Sequence, residues 1–276
     1  MKTLFLALLV VFLPVVAFST TLNVPSTEYP TIQAGVSAAN SGDIVLIASG
    51  TYTGSENYNI SITIPDITVR GEGDVIIDCA GSYKAFIADA YPGYFIIEGV
   101  IILNGRANSY EGVLDSKSGG LTVKDCIFQG SNGCSIYGDT GTPIYIEGIV
   151  VEDCAGAVNF GSIHVGNYGT LGMYNSIVRN NSSLGNHAGV FIDNASVTIS
   201  DCKFYSNQGT TMYSKDGHSV VNVSNSVFHS NTADHTIYVR ECALTLTNVT
   251  IAYNFGAYGI QVSTTSTLIL DHSIIW

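Results

Sequence analysis

Two rows of side chains recur from residue 114 onward, at a repeat of 22 to 27 residues. The first row is mainly aromatic and consists of Leu114, Tyr137, His164, Phe191, Tyr213, Tyr238 and Gln261. The second row follows two positions later, carries mixed charge, and consists of Ser116, Asp139, Gly166, Asp193, Lys215, Arg240 and Ser263. Aromatic rings stack on the apolar faces of sugars, and charged groups bond sugar hydroxyls or uronate carboxylates.

The two rows therefore predict a carbohydrate-binding groove. We assign ligand binding to the side chains with that chemistry, which are Tyr137, Asp139, His164, Phe191, Asp193, Tyr213, Lys215, Tyr238 and Arg240. The same rows also arise when a repetitive sequence stacks in register and favours aromatic residues in strands. A slip of one residue in the alignment would turn the whole aromatic row inward.

A catalytic alternative uses the same groove. Its candidate acid, base and cationic groups are Asp193, Lys215, Asp216 and Arg240. Asp139 and Asp193 would lie two rungs apart, near the upper separation of about 9.5 Å for an inverting glycosidase pair. Arg240 and Glu241 with Asp216 supply only part of a calcium cluster. We predict no metal site and no cofactor, and calcium is an option only if the protein is a lyase.

The element that must position these rows is a repeated coil. Val197–Asn207, Val221–Asn231 and Leu244–Asn254 are similar segments with two short apolar stretches each. The first apolar residues of successive coils are Ile67, Phe95, Leu121, Ile144, Leu171, Val197, Val221, Leu244 and Leu268. A period of this length with strands and no helical pattern predicts an all-β fold, a parallel β-helix of about nine coils.

Alternation along a strand sets which side chains point out of this solenoid. The residues predicted to face inward on the strand before each anchor are Val113, Ile136, Ile163, Val190, Met212, Ile237 and Ile260. The aromatic row is formed by the next residue of each strand. A separate row of Asn181, Asn207, Asn231 and Asn254 predicts a buried amide ladder that bonds from rung to rung.

Two further rows indicate stacking rather than chemistry. Acidic and amide residues recur at Asp125, Asn175, Asp201, Asn225 and Asn248, and small residues at Cys126, Ser176, Cys202, Ser226 and Ser273. We predict that most of the six cysteines are free, buried small side chains. Cys134 and Cys154 lie on adjacent coils and remain possible disulfide partners.

The two ends of the chain carry signals of their own. Lys2, the apolar stretch Leu4–Val16 and Ala17-Phe-Ser19 predict a signal peptide over residues 1–19, and hence a secreted or cell-surface protein. No later stretch is apolar enough for a bilayer span, so an integral membrane protein is not predicted. The net charge of −12 argues against nucleic acid as a partner. At the other end, the last coil stops partway at Trp276, which predicts a truncated reading frame.

Residues 20–66 are predicted to form an N-terminal cap and the first strands, and residues 67–276 the coils. Within the cap, Ile32, Val36 and Ala39 have helical spacing after Thr31. A strand is predicted at Ile44–Ala48, followed by a turn at Gly50-Thr-Tyr52. A helix in this position would cover the open end of the solenoid.

Several segments resemble a known family. Tyr29-Pro-Thr-Ile-Gln-Ala34, Ser41-Gly-Asp-Ile-Val45, Gly50-Thr-Tyr52 and Thr68-Val-Arg-Gly71 are similar to the cap and first coils of pectin-lyase-like right-handed β-helix proteins. That resemblance implies a right-handed helix. Phe204-Tyr-Ser-Asn207 and Phe228-His-Ser-Asn231 resemble the Phe-x-x-Asn repeats of polymorphic outer-membrane proteins, which are surface-exposed adhesins. The motifs of polygalacturonase-like enzymes are absent, and Asp216-Gly-His-Ser219 is the nearest fragment.

Three functions remain open. The leading hypothesis is an exported, non-catalytic module that binds a polysaccharide, a surface glycan or another extracellular partner through the aromatic and charged rows. The alternative is a polysaccharide lyase or glycoside hydrolase acting on an acidic polysaccharide in the same groove. The third is a structural spacer or adhesin stalk.

Overall fold

Short strands separated by bends follow one another along almost the whole chain, and each strand pairs in parallel with the equivalent strand of the next turn. The computed structural model describes residues 19–276, except positions 109, 157–160, 216, 218 and 264 and the side chains of 184–186. The predicted signal peptide therefore lies almost wholly outside the described residues. The described strands form a parallel β-solenoid of about ten turns, which confirms the predicted fold.

The solenoid has three faces, and long strands bend around a corner and contribute to two of them. The first face contains Thr21–Val24, Ile44–Tyr52, Ile67–Asp78, Phe86–Glu98, Gly112–Lys124, Pro143–Glu147, Thr170–Tyr174, Ser196–Ser200, Ser219–Ser224, Cys242–Thr247 and Thr267–Asp271. The second face contains the later parts of Ile44–Tyr52 and Ile67–Asp78, followed by Ile101–Leu103, Ile127–Gln129, Val150–Glu152, Ile177–Arg179, Lys203–Tyr205, Val227–His229, Thr250–Ala252 and Ile274–Ile275. The third face contains Ile60–Ile62, the early parts of Phe86–Glu98 and Gly112–Lys124, Cys134–Gly138, Ile163–Val165, Ser182–Asp193, Gln208–Lys215, His235–Val239 and Tyr258–Val262. Ala155–Gly156 pairs with the beginning of Ser182–Asp193.

The predicted anchors of the first face are confirmed. All nine, from Ile67 to Leu268, are register partners of their neighbours in the structure. Every second residue of these strands is apolar and points into the solenoid, where apolar side chains form one continuous core. Phe204 and Phe228 are fully buried there, and their rings stack with centroids 4.6 Å apart.

The buried asparagine ladder is also confirmed. Asn207 Nδ2 donates to the Oδ1 of Asn231 and to the carbonyl oxygen of Val178, at 3.0 Å each. Its own Oδ1 accepts from the backbone N–H and the Nδ2 of Asn181, at 3.1 Å each. Because each amide bonds both the next rung and the backbone, the column satisfies its polar atoms without water.

The second polar row has a different cause. Asp125, Asn175, Asp201, Asn225 and Asn248 are exposed and have φ between 49° and 59°. They form the bend between the first and second faces, where the backbone takes the left-handed conformation that Asn and Asp tolerate best among residues with a side chain. The recurrence of Asn and Asp in this row is therefore explained by the backbone bend and not by a buried hydrogen-bond network.

The six cysteines are free and buried. Cys134 and Cys154, the pair left open as disulfide partners, are not bonded to each other. Burial raises the pKa of the Cys126 thiol to about 12 and that of Cys202 to about 11. These thiols are protonated and inert at neutral pH.

One helix, α1, spans Ile32–Ala38 and packs on the first strands of the solenoid through Ile32 and Val36. Asp43 fixes the chain after the C-terminal end of α1. The Asp43 carboxylate accepts hydrogen bonds from the backbone N–H of Asn40 at 2.8 Å and of Thr20 at 2.7 Å. The bond from Asn40, followed by that from Thr20, lowers the pKa of this carboxyl. The turn predicted at Gly50–Tyr52 is wrong, since the strand continues through it and pairs with residues 75–77. Among the described residues, no helix has the length and apolar character of a membrane span.

The N-cap of α1 offers a test of the cap. The hydroxyl of Thr31 accepts from the backbone N–H of Ala34 at 3.2 Å. We expect Thr31→Ala to lower the free energy of unfolding by about 1 kcal/mol, because that N–H loses its partner. Urea unfolding followed by circular dichroism measures the change. Thr31→Ser keeps the hydroxyl and should unfold like wild type; an equal loss in both variants would contradict a capping role.

Candidate functional site

The charged and aromatic rows follow the register of the third face, with one correction. The sequence aligned Val113 with Ile136 and placed Leu114 and Ser116 outward. Val113 is buried in the apolar core as predicted, but the alignment is wrong by one residue, and Leu114 and Ser116 are fully buried. Leu114 pairs with Ile136 in the inward row, so Asp115 occupies the aromatic row beside Tyr137. Lys117, one residue further, takes the place predicted for Ser116 in the charged row. A slip of one residue reverses every side chain of a strand, and it occurs where Gly112–Lys124 continues around the corner without a break.

The aromatic column, defined as Tyr137, His164, Phe191, Tyr213 and Tyr238, stacks along the solenoid axis. Its ring centroids are 4.8, 4.9, 5.3 and 5.3 Å apart from one rung to the next. Only its last two members are accessible. Tyr137, His164 and Phe191 are 5%, 2% and 2% exposed, so the prediction that they line an open groove is wrong.

Burial sets the charge state of the histidines in this region. Burial, and secondarily the positive charge of Lys215, lowers the pKa of His164 to about 3 and that of His187 to about 4. Burial also raises the pKa of the Tyr137 hydroxyl. At neutral pH these three rings are therefore uncharged, which suits packing against one another and against apolar ligand surfaces.

A second set of rings, missed in the sequence, lies beside the accessible end of the column. His187 stacks on Tyr213 with centroids 4.1 Å apart, and His235 contacts both Tyr238 at 5.2 Å and Tyr258 at 5.4 Å. His235 and Tyr258 are register partners. Both stand two positions before an inward isoleucine, and this shared spacing was the signal that could have revealed them.

His187 and His235, together with Tyr213 and Tyr238, line an open groove of about 860 Å³ on the third face. Its lining residues are Ser183, His187, Gln208, Gly209, Thr210, Tyr213, Thr232, Ala233, Asp234, His235, Tyr238, Phe255 and Gly256. Hydroxyl, amide and imidazole groups thus surround the faces of two tyrosines. The groove combines flat apolar surface with many neutral hydrogen-bonding groups, as a carbohydrate site requires.

Two members of the charged row, Lys215 and Arg240, follow two positions after the groove residues Tyr213 and Tyr238. Lys215 Nζ lies 3.7 Å from the Oδ2 of Asp193 and 5.6 Å from the ring centroid of Phe191. Arg240 is exposed on the next rung, where its backbone N–H donates to Ser214. The structure thus places Asp193, Lys215 and Arg240 on three successive rungs, with a contact between the first two. Asp216, the fourth catalytic candidate, lies outside the described residues, as does His218.

Asp139 is separated from this cluster. Its carboxylate accepts from the backbone N–H of Thr140 at 2.7 Å within its own bend. Gly166 lies on the rung between Asp139 and Asp193, and a Cβ there would approach the carbonyl oxygen of Gly138 to 2.8 Å. This position therefore needs glycine, which leaves a gap in the charged row. Among the described residues, no cluster of three or more His, Cys, Asp or Glu side chains could hold a metal ion.

Comparisons with known proteins agree with the architecture. Residues 161–275 match the family described as the right handed beta helix region. Two curated relatives are similar over part of the chain. SHC SH2 domain-binding protein 1 homolog B of Xenopus laevis is 30% identical over 122 residues, which are 40% of this chain and 18% of that protein. SHC SH2 domain-binding protein 1 of Mus musculus is 25% identical over 180 residues, 55% of this chain and 26% of that protein. The chain thus spans about a fifth to a quarter of these relatives.

Two solved structures are similar at low sequence identity. A mannuronic acid specific polysaccharide family 6 lyase from human gut microbiota is 12% identical, with a TM-score of 0.35 over 92% of this chain and 83% of the lyase. Pectate lyase Pel9A is 13% identical, with a TM-score of 0.31 over 88% and 71%. Likeness at this level says nothing about activity. The family match and the strand pairing together show a right-handed parallel β-helix.

Proposed function

We propose that this right-handed parallel β-helix is an exported, non-catalytic module that binds a polysaccharide or surface glycan in the open groove of its third face. The observation that carries the proposal is the pair of half-buried rings of Tyr213 and Tyr238 on adjacent rungs inside that groove. Each ring presents part of its surface to the groove and is held in place by a neighbouring histidine. Preordered rings lose little conformational freedom when a ligand binds.

The geometry favours an extended polymer. Equivalent groups repeat at about 4.8 Å from rung to rung, so a chain lying along the solenoid axis meets similar contacts at successive units. Lys215 and Arg240 stand on consecutive rungs, two positions after the groove residues Tyr213 and Tyr238, and would bond uronate carboxylates of a chain that extends beyond the groove. We therefore propose an acidic polysaccharide as the preferred ligand.

The proposal is tested by binding to immobilised polysaccharides, an acidic uronate polymer and a neutral glucan. We expect Tyr213→Ala and Tyr238→Ala each to weaken binding to the uronate polymer about 3- to 10-fold, since a stacked aromatic contact contributes about 0.5–1.5 kcal/mol. Tyr205→Ala is the matched control, because Tyr205 also stacks on a histidine, His229, but on the second face. Its binding should equal that of wild type.

The other functions are outcomes of the same experiment. Binding that is equal in all three variants, or absent in wild type, would overturn the groove as a polysaccharide site and leave the spacer, the stalk or a module that binds a protein. The same samples are monitored for unsaturated products and reducing ends, with and without calcium. Sustained turnover that is lost in Asp193→Ala or Arg240→Ala would replace the binding module by a polysaccharide lyase or glycoside hydrolase. The names of the two curated relatives describe them as proteins that bind a protein domain. If this chain also binds a protein, wild type should bind neither polymer.

A further inference from the structure

A lysine amine is held between two carboxylates at the other end of the third face. Lys84 Nζ lies 2.7 Å from the Oδ2 of Asp115 and 2.9 Å from the Oε1 of Glu111. Lys117 Nζ lies 3.1 Å from the same oxygen of Asp115. Lys84 and Asp115 belong to neighbouring turns, because the strand that follows Lys84 pairs with the strand that contains Asp115.

Asp115 is the most deeply buried member of this cluster. Its side chain has no exposed surface, and that of Lys84 is 13% exposed. The Oδ2 of Asp115 contacts the amines of both Lys84 and Lys117, whereas its Oδ1 makes no hydrogen bond with any described residue. A buried carboxylate with one oxygen unsatisfied is costly, because the ion pair only partly offsets the loss of hydration.

We propose that Lys84 and Asp115 are joined by an isopeptide bond that the folded protein forms by itself. The Lys84 nitrogen attacks the Asp115 Cγ, a C–N bond forms, and one carboxyl oxygen leaves as water. Two protons pass from the nitrogen to the departing oxygen, carried one at a time by Glu111, which ends unchanged. The reaction condenses an amine and a carboxyl group, so it needs no oxidant, reductant or co-reactant.

The geometry supports each step. Nucleophiles attack from about 3 to 3.5 Å, and the short bond to Oδ2 holds the Lys84 nitrogen close to the adjoining Cγ. Glu111 touches the nitrogen that must lose protons, and Asn108 Nδ2 donates to its other oxygen at 3.3 Å. The ammonium of Lys117 stands where it can stabilise negative charge on Oδ2 in the tetrahedral intermediate. The neutral amide then replaces a buried ion pair.

Two other lysine–carboxylate pairs among the described residues are both longer and more exposed than the pair of Lys84 and Asp115. Lys124 is 3.7 Å from Glu147, and both side chains are 39% exposed. Lys215 is 3.7 Å from Asp193, and these side chains are 32% and 16% exposed. At such distances and exposures the amine stays hydrated and lies farther from its carboxylate than Lys84 does from Asp115. Lys215 therefore provides a matched control for Lys84.

The bond is tested by peptide mapping of the purified, denatured protein. We expect the tryptic peptides of Lys84 and Asp115 to appear as one branched peptide, lighter than their sum by one water molecule and uncleaved at Lys84. Lys84→Arg keeps the charge but removes the nucleophile, and should give separate peptides. Glu111→Gln keeps both reacting groups and should also give separate peptides, in a protein whose circular dichroism matches wild type. Lys215→Arg should retain the branched peptide.

Separate, unmodified Lys84 and Asp115 peptides from folded wild-type protein would overturn the proposal. A branched peptide formed to the same extent in Glu111→Gln would overturn the role of Glu111 as proton carrier. This site lies at the opposite end of the third face from the open groove, so either result leaves the polysaccharide test unaffected.

Discussion

Asn207→Asp is expected to destabilise the β-helix by about 3 to 5 kcal/mol at pH 7, the range measured when a buried polar pair is broken and a charge is left uncompensated. The amide of Asn207 is fully buried and donates through Nδ2 to Val178 and Asn231. A carboxylate has no hydrogen to donate. Its second oxygen would face two acceptor oxygens at about the same distance, in a site that water does not reach.

Asn225→Asp is the matched control, because it makes the same chemical change in the exposed polar row. Asn225 has φ +49°, and Asp125 and Asp201 occupy the equivalent bends at +50° and +59°. The Nδ2 of Asn248 donates to the Oδ1 of Asn225, an acceptor that Asp retains. We expect this variant to unfold within about 0.5 kcal/mol of wild type.

Urea unfolding of the two variants, followed by far-ultraviolet circular dichroism, distinguishes the rows. Burial beside carbonyl oxygens would raise the pKa of the new carboxyl in Asn207→Asp, so this variant should regain stability when the pH is lowered from 7 to 5. Equal stability of the two variants would contradict the buried ladder as the source of the effect.

Acidification is expected to destabilise wild type through His164 and His187, and His164→Phe should remove about half of the sensitivity that these two histidines cause. The pKa of His164 is about 3 in the folded protein, against an ordinary value of 6.5. Between these values the unfolded chain binds a proton that the folded chain rejects, so stability falls as the pH falls. Two pH units below 6.5, this single group removes about 2 to 3 kcal/mol.

Phenylalanine suits the site, because His164 packs edge-on between Tyr137 and Phe191 and the aromatic column already contains a phenylalanine. The measurement compares free energies of unfolding in urea at pH 7 and pH 4.5, a range chosen to lie above the ordinary pKa of most carboxyls. His187→Phe serves for comparison. Its histidine has a pKa of about 4, which also lies below pH 4.5, so removing it should reduce the acid sensitivity by a comparable amount. A wild-type pH dependence in His164→Phe would refute this account.

Much of the fold could be predicted from the chain alone, and the reason is visible at particular residues. Leu121, Val197 and Leu244 recur at the start of equivalent apolar stretches, and stacking them in register was sufficient to place the first face. The column of Asn207 and Asn231 was recognisable because a repeated buried amide can satisfy itself only by bonding its own copies. Both features depend on period, which a sequence displays directly.

The candidate site was predicted only in part. Strand alternation correctly grouped Tyr213 with Tyr238 and Asp193 with Lys215, which are register neighbours in the structure. It failed at Leu114, because the strand Gly112–Lys124 continues around the corner without a break and its register there differs by one residue from the predicted alignment. It also could not find His187, whose contact with Tyr213 crosses an irregular register between two strands.

The sequence by itself determined the parallel β-helix, its inward apolar and amide rows, and the direction in which most side chains of the third face leave the backbone. Alternation and in-register stacking follow from local chain geometry, so a pattern of period 2 within a coil and 23 to 28 between coils was enough. Only the tertiary structure decided which outward rings are accessible. Tyr137, His164 and Phe191 are covered, whereas Tyr213 and Tyr238 line an open groove, because exposure depends on the segments between strands, which do not repeat. The contacts of Lys84 with Glu111 and Asp115 were likewise decided only by the tertiary structure. These residues belong to two neighbouring turns and a connecting segment, and they do not occupy equivalent positions of the repeat.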